Sequence, residues 1–104
     1  MEVFQTGEVT KFIQALPKSL QRRIDRTTSY LEREGHMARM PYSKPIGHGL
    51  FELRVIGAVH VRILYFFHEN QAILVCAVIK KRNDLILKDI QRAMEVRKQF
   101  LAEI

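Results

Sequence analysis

The chain has 104 residues and a mass of 12.2 kDa, so we expect one domain over residues 1–104. Hydrophobic residues make up 47% and charged residues 27%, a balance that excludes a disordered or low-complexity chain. Seventeen Lys and Arg against eleven Asp and Glu give a net charge of +6. This excess favours a polyanionic partner such as RNA or DNA.

A single cysteine, Cys76, excludes an intramolecular disulfide and a multi-cysteine zinc site. The longest apolar run, Ala72 to Ile79, is eight residues long, which suits a strand and is too short for a membrane helix of ~20 residues. The first residues have neither the basic nor the apolar region of a signal peptide. We therefore expect a cytoplasmic protein that does not bind a membrane.

Two helices are predicted in the first third of the chain. Thr6 is placed to cap the first, and Pro17 ends it. Pro17 also suits the first position of a second helix, for which Gly35 is the C-terminal stop. The inward positions share a helical spacing and are Val9, Phe12, Ile13 and Leu16, then Leu20, Ile24, Thr27 and Leu31. A short strand at Val3 and Phe4 is an optional first element.

The middle of the chain is predicted to be a sheet. Residues 36–49 hold two of the three prolines and two of the five glycines, which predicts an irregular connection. Alternating apolar residues predict strands at Leu50 to Val55 and Val59 to Phe67. The run from Ala72 to Ile79 is apolar at every position, so it predicts a third strand that is covered on both faces.

A turn centred on Gly57 would set the register of the first two strands. It pairs Leu53 with Val61 and keeps the apolar side chains together, whereas a slip of one residue turns one strand over. On the second face the same register places Glu52 opposite Arg62.

A last helix is predicted from about Leu87, with apolar residues on one stripe. The sum is an α+β fold with two N-terminal helices, an antiparallel β-meander and a C-terminal helix. We expect the helices on one side of the sheet, which leaves the other face open.

The positive charge is concentrated in the second part of the chain, because residues 36–104 carry five of the six excess charges. Arg54 and Arg62 share the second face of adjacent strands, and further basic residues precede and follow the sheet. The residues outside the two strands are Lys44, Lys80, Lys81 and Arg82. A concave basic face of this kind suits phosphate, since Arg offers a planar fork and Lys a point charge.

Three stretches carry a resemblance to a known family: Pro41 to Arg54, Val61 to Phe67, and Lys80 with Lys81. They contain a Pro and Lys loop, a Gly-Leu-aromatic-Glu-Leu-Arg strand, an Arg-Ile-Leu-Tyr strand and a Lys-Lys exit. In this order and spacing the chain resembles the HigB-like branch of the RelE/ParE toxin superfamily, which includes phage-derived Gp49-like proteins. The resemblance covers nearly the whole chain.

The resemblance implies a RelE-like fold and the toxin of a type II toxin–antitoxin system. Its activity would be that of a ribosome-dependent mRNA endonuclease, or of a related mRNA endonuclease, and it would inhibit translation. The implied partners are a cognate antitoxin of helix-turn-helix type, mRNA and the ribosome, and operator DNA for the toxin–antitoxin complex. No cofactor is expected.

RNA cleavage without a metal uses the 2′-hydroxyl of the substrate as nucleophile, so charge must be stabilised and protons moved. We assign Arg62 and Arg54 to the phosphate, and Lys80 or Lys81 to charge stabilisation or proton transfer. Substrate phosphates would also meet Lys44, Arg82 and His60. The general acid and base stay open, with His60 and His48 as further candidates, since the chain has no Tyr after Tyr65.

Other functions fit the same residues. One is a toxin of the same fold that inhibits DNA gyrase, as ParE-like proteins do, or that only binds an antitoxin and operator DNA. Another is a small basic RNA- or DNA-binding domain without toxicity. In that case Arg62 and Glu52 are a plain cross-strand ion pair, and Lys80, Lys81 and Arg82 are a solvated charge run.

Overall fold

The computed structural model describes residues 1–80 and 87–104, and these ranges contain three α-helices, one 3-10 helix and five β-strands. In chain order the elements are β1 (Glu2–Gln5), α1 (Gly7–Gln14), α2 (Lys18–Glu34), a 3-10 helix (Gly35–Met37), β2 (Ser43–Gly47), β3 (Leu50–Val55), β4 (His60–His68), β5 (Gln71–Lys80) and α3 (Leu87–Ala102). The predicted α+β class is confirmed. The basic residues Lys81 and Arg82 lie outside the described ranges.

The five strands form one mixed sheet in the order β1-β5-β4-β3-β2. Strands β2 to β5 pair antiparallel with their sequence neighbours, as the predicted meander requires. Strand β1 is the optional first strand, and it pairs parallel with β5. The N-terminal strand therefore crosses to the far edge of the sheet, a long-range pairing that local alternation does not encode.

The prediction of an irregular connection over residues 36–49 is wrong for Ser43–Gly47, which is the edge strand β2 and pairs with β3. Pro45 has no backbone N–H to donate, and an edge strand tolerates a proline for this reason better than a central strand does. A register shift between Pro45 and Gly47 further hides the strand from periodicity. Neighbouring Gly and Pro therefore masked a real strand.

The predicted register of β3 and β4 is wrong by two residues. Leu53 pairs with Ile63, and Arg54 rather than Glu52 lies opposite Arg62. A shift of two residues preserves the faces of both strands, so hydrophobic alternation cannot distinguish the two registers. The longer turn is held from outside the sheet, because Nη1 of Arg23 in α2 donates to the carbonyl of the turn residue Ile56 at 3.2 Å.

Helices cover both faces of the sheet, so the expectation of one open face is wrong. Helices α1 and α2 pack on a core around Leu53 and Ile63, and α3 packs on a second core around Leu64 and Ile73. Strand β5 has an irregularity opposite the Leu64 and Tyr65 step, which lets successive residues face the second core. The prediction that this strand is buried on both faces is confirmed for residues 72–76, whereas Ile79 near its end is 48% exposed.

The helix boundaries differ slightly from those predicted. Thr6 is the N-terminal flanking residue of α1 but its side chain makes no capping hydrogen bond. Pro17 flanks α2 instead of forming its first residue, and Gly35 ends the helix with a positive φ of 54°. In the described part of the chain no helix is long and apolar enough to cross a membrane.

Candidate functional site

The candidate site lies on the α3 face of the sheet, beyond the apolar core. Register partners share a face, so β2, β3, β4 and β5 place a group of charged side chains side by side. We call this group the sheet site, and its members are Lys44, Glu52, Arg54, Arg62 and Lys80. Four cationic residues thus share the face with one carboxylate.

Glu52 holds the two arginines of the sheet site together. Its Oε1 atom lies 3.2 Å from Nε of Arg54 and 3.5 Å from Nε of Arg62. Neither contact has hydrogen-bond geometry, so all three atoms keep unused hydrogen-bonding capacity. One carboxylate therefore neutralises two guanidinium groups only in part, and the pair keeps an excess positive charge.

The two arginines differ in their access to solvent. The side chain of Arg62 is 4% exposed and that of Arg54 is 19% exposed. Burial lowers the pKa of Arg62, Glu52 opposes this effect, and the neighbouring Arg54 adds to the lowering. Arg54 is thus the group that an incoming anion meets first, and Arg62 lies behind it.

Lys80 ends β5 and pairs with Asp89 in the first turn of α3. Its Nζ atom donates to Oδ2 of Asp89 at 2.5 Å, and both side chains are enclosed. A carboxylate in the first helical turn is also favoured by the helix dipole. The pair therefore links the end of the sheet to the start of α3 beside the arginines.

The histidine candidates have different positions. His60 is exposed and lies opposite Lys80 on the same face as Arg62. His48 lies in the turn between β2 and β3 with a positive φ of 59°, and its carbonyl accepts a hydrogen bond from Nη1 of Arg97 at 2.5 Å. It is four residues from Lys44 on β2 and four from Glu52 on β3, which corresponds to ~13 Å at full extension. The structure brings His60 to the sheet site and places His48 at the far end of the hairpin.

Sequence reasoning missed Asp89 and gave Glu52 only the role of a cross-strand partner of Arg62. An acidic residue in the first turn of a helix that follows a Lys-rich strand end was the available signal for Asp89. Tyr65 on β4 is fully buried, with its hydroxyl 2.5 Å from Oγ of Ser43. It therefore lies in the α1 and α2 core and not in the sheet site.

The sheet site suits an anion held by arginine. Within residues 1–80 and 87–104, no group of three His, Cys, Asp or Glu side chains is arranged to hold a metal ion. The described chemistry is that of two adjacent guanidinium groups, the lysine of β2 and an imidazole on one face, while the charge of Lys80 is matched by Asp89. Such a set can bind a phosphodiester and stabilise charge that develops on it.

The chain was compared with known proteins. Residues 11–98 match the model of the family described as Phage derived protein Gp49-like (DUF891). No curated protein matches the chain. The matched range contains every residue of the sheet site together with Asp89 and His60. Because the match covers far more than half of the sequence, the chain belongs to the phage-derived Gp49-like family.

Proposed function

We propose that this protein is the toxin of a type II toxin–antitoxin system and cleaves mRNA without a metal ion. Membership of the Gp49-like family supports the toxin assignment, together with the resemblance of the chain to HigB-like toxins. The observation that carries the nuclease assignment is the single carboxylate of Glu52 between Arg54 and Arg62. The two arginines keep net positive charge at a position that solvent reaches through Arg54.

A substrate phosphate would take up this unused binding capacity. The guanidinium of Arg54 is the more exposed of the two and turns towards a non-bridging phosphate oxygen. Glu52 then keeps its contact with Arg62, which stays enclosed and contributes charge from behind. Lys44 is the register partner of Glu52 on the edge strand and adds a further cation for the flanking phosphate.

The reaction is an internal transfer to the 2′-oxygen of the RNA. The 2′-oxygen bonds to phosphorus as its proton leaves, and the bond from phosphorus to the 5′-oxygen breaks as that oxygen gains a proton. The products carry a 2′,3′-cyclic phosphate and a 5′-hydroxyl. Arg54 and Arg62 stabilise the charge on the phosphorane oxygens.

Proton transfer is assigned to His60, which lies two residues before Arg62 on the same face of β4. His60 is exposed there, and imidazole both accepts and donates protons near neutral pH. Lys80 is held by Asp89, so its part is to position the exit of β5 and to add charge. Lys81 and Arg82 follow directly in the sequence and remain proposed charge-stabilising and phosphate-binding residues.

The proposed partners follow from the same assignment. A cognate antitoxin of helix-turn-helix type would neutralise the protein, and the complex of the two would bind operator DNA. The mRNA would be cleaved on the ribosome in the cytoplasm. We treat residues 1–104 as one toxin domain.

The test is induction of the protein in bacteria followed by mapping of transcript 5′ ends. We expect growth arrest with new ends inside coding sequences. Arg54→Ala should abolish both, and Arg92→Ala is the matched control, since Arg92 is an exposed arginine that pairs with Glu8 elsewhere. Growth arrest without new mRNA ends, accompanied by stalled DNA replication, would instead favour a ParE-like inhibitor of DNA gyrase. Arrest by a folded Arg54→Ala variant would remove the sheet site from the mechanism.

A further inference from the structure

Helix α2 carries a second basic surface that the sheet site does not include. Arg22, Arg26 and Arg33 follow one another at spacings of four and seven residues, which places them on one side of the helix. Tyr30 lies four residues after Arg26 on the same side, and Tyr42 packs against it with ring centroids 4.9 Å apart. We call these five residues the arginine–tyrosine surface.

The arginines of this surface are free of carboxylates in the part of the chain that the structure describes. In residues 1–80 and 87–104 none of Arg22, Arg26 and Arg33 has an acidic partner within 4.0 Å, and all three are exposed. The acidic residues of the same helix are Asp25, Glu32 and Glu34. Each is one residue from Arg26 or Arg33 and so displaced from it by about 100° around the helix. Asp25 is also three residues after Arg22, but in the described ranges its carboxylate does not come within 4.0 Å of that arginine. The basic side of α2 is therefore not neutralised by its own helix.

The tyrosine pair is held in place by the backbone. The hydroxyl of Tyr30 accepts a hydrogen bond from the amide of Arg39 at 3.1 Å, and the amide of Tyr42 donates to the carbonyl of Arg39, also at 3.1 Å. Tyr42 nevertheless remains 39% exposed. With Arg26 and Arg33 it lines a cavity of about 190 Å³. A partly exposed aromatic ring thus lines the same cavity as two arginines that have no acidic partner in the described ranges.

This surface lies next to the sheet site. The amide of Arg54 donates to the carbonyl of Tyr42 at 2.8 Å, so the backbones of the sheet site and of the arginine–tyrosine surface meet at this edge of the sheet. Nη1 of Arg54 also lies 3.7 Å from Sδ of Met40 in the same segment. A strand whose scissile phosphate lies at Arg54 reaches Tyr42 by crossing the sheet edge at this segment.

We propose that the arginine–tyrosine surface binds the single-stranded RNA that flanks the scissile phosphate, with a base stacked on Tyr42 and phosphates at Arg26 and Arg33. Unpaired bases stack on exposed aromatic rings, and Arg adds both charge and cation–π attraction. An acidic helical protein would pair with the arginines, but it has no nucleobase to stack on the ring of Tyr42. The inference rests on the proposed nuclease function and extends it from the cleavage point to the substrate path.

The test measures binding apart from cleavage. The probe is a labelled 2′-O-methyl oligouridine of about 12 nucleotides, which lacks the attacking hydroxyl and cannot be cleaved. Fluorescence anisotropy with the whole protein should show binding that weakens about 5- to 150-fold in Tyr42→Ala and is kept in Tyr42→Phe. Arg26→Ala with Arg33→Ala should lower the slope of affinity against salt by about 1.4, since each phosphate contact to a single strand contributes about 0.7.

The matched control is Lys11→Ala with Lys98→Ala, which removes two exposed positive charges outside the surface and should leave the anisotropy curve near that of the unaltered protein. Equal loss in this control and in the arginine double variant would overturn the proposal. So would unchanged binding by Tyr42→Ala, or a duplex of matched sequence that binds as tightly and ignores Tyr42. The proposal would also be overturned if the variants weakened the binding of an acidic helical protein and left RNA binding unchanged.

The two proposals fail in different ways. A protein that cleaves no RNA but binds the methylated strand through Tyr42 contradicts the nuclease assignment and supports the surface. A protein whose RNA cleavage requires Arg54 but whose substrate binding ignores Tyr42, Arg26 and Arg33 contradicts the surface and supports the nuclease.

Discussion

Nε of Arg62 lies 3.5 Å from Oε1 of Glu52, and both side chains are almost completely enclosed, at 4% and 1% exposure. A charge in such a position is costly unless an opposite charge accompanies it. Glu52 also lies 3.2 Å from Arg54, so its single carboxylate compensates two guanidinium groups on adjacent strands. The fold therefore depends on the same carboxylate that limits the positive charge of the sheet site.

Replacement of Glu52 by Gln should destabilise the protein. The change keeps the shape of the side chain and leaves Arg62 enclosed beside Arg54 with no counter-charge, which costs about 3 kcal/mol. Urea unfolding followed by circular dichroism would measure it. Glu95→Gln is the control, because Glu95 is exposed and its contact with Arg92 at 3.7 Å is screened by solvent. Equal unfolding midpoints for the two variants would show that Glu52 is not needed as a counter-ion.

Lys80 and Asp89 should be strongly coupled. Lys80→Ala leaves the carboxylate of Asp89 enclosed and unpaired, and Asp89→Ala does the same to Lys80, so each single change should cost about 3 kcal/mol. The double variant removes both charges and should cost less than the sum of the two, with a coupling energy of about 1 to 3 kcal/mol. Additive losses in this cycle would mean that the two groups act independently.

Gly49 should tolerate substitution less well than Gly7. Gly49 has a φ of +75°, and an added Cβ would lie 3.3 Å from Nη1 of Arg97, whereas an added Cβ at Gly7 meets no atom within 4 Å. Gly49→Ala is expected to lose about 1 to 2 kcal/mol of unfolding free energy, since both the backbone conformation and the Arg97 contact resist it. Gly7→Ala in α1 should gain about 0.5 kcal/mol. Thermal unfolding compares the two, and a stabilised Gly49→Ala variant would contradict the strain.

Cys76 should be an unreactive thiol, and its burial should make the unfolding free energy depend on pH in alkaline solution. Burial raises the pKa of Cys76 to about 11, and the carboxylates of Asp89 and Glu8 add to the effect. A pKa raised by folding means that the folded state disfavours the thiolate. The contribution to stability is thus complete below the unfolded pKa near 9 and is lost as the pH rises towards 11. The unfolding free energy of the unaltered protein should fall between pH 9 and 11 more steeply than that of Cys76→Ala, and parallel curves would contradict this.

Several features of the fold were predictable because they depend on local chemistry. Strand β3 has the predicted limits, and the apolar stripe of α2 at Leu20, Ile24 and Leu31 is buried as its spacing requires. The shared face of Arg54 and Arg62 was also predictable, since side chains alternate along a strand whatever the register. These predictions needed only the period of each segment.

The candidate site was only partly predictable. The register that sets Arg54 opposite Arg62 differs by two residues from the predicted one. In it Glu52 lies diagonal to Arg62 instead of opposite it, and its Oε1 atom is near both arginines. Both registers keep the same apolar residues on the same face, so the alternation of the sequence could not distinguish them. The roles of Arg54, Arg62, Lys80 and Lys44 stay predictions, as do those of Lys81, Arg82 and His60.

By itself the sequence determined the α+β class, the apolar faces and the concentration of positive charge after residue 36, because these are properties of composition and local period. Only the tertiary structure decided that α3 covers the second face, that Asp89 meets Lys80 and that Tyr42 meets Tyr30 beside an arginine stripe. Such contacts join residues far apart in the chain or on separate elements. Their formation depends on how whole elements pack, and no short window of sequence contains that information.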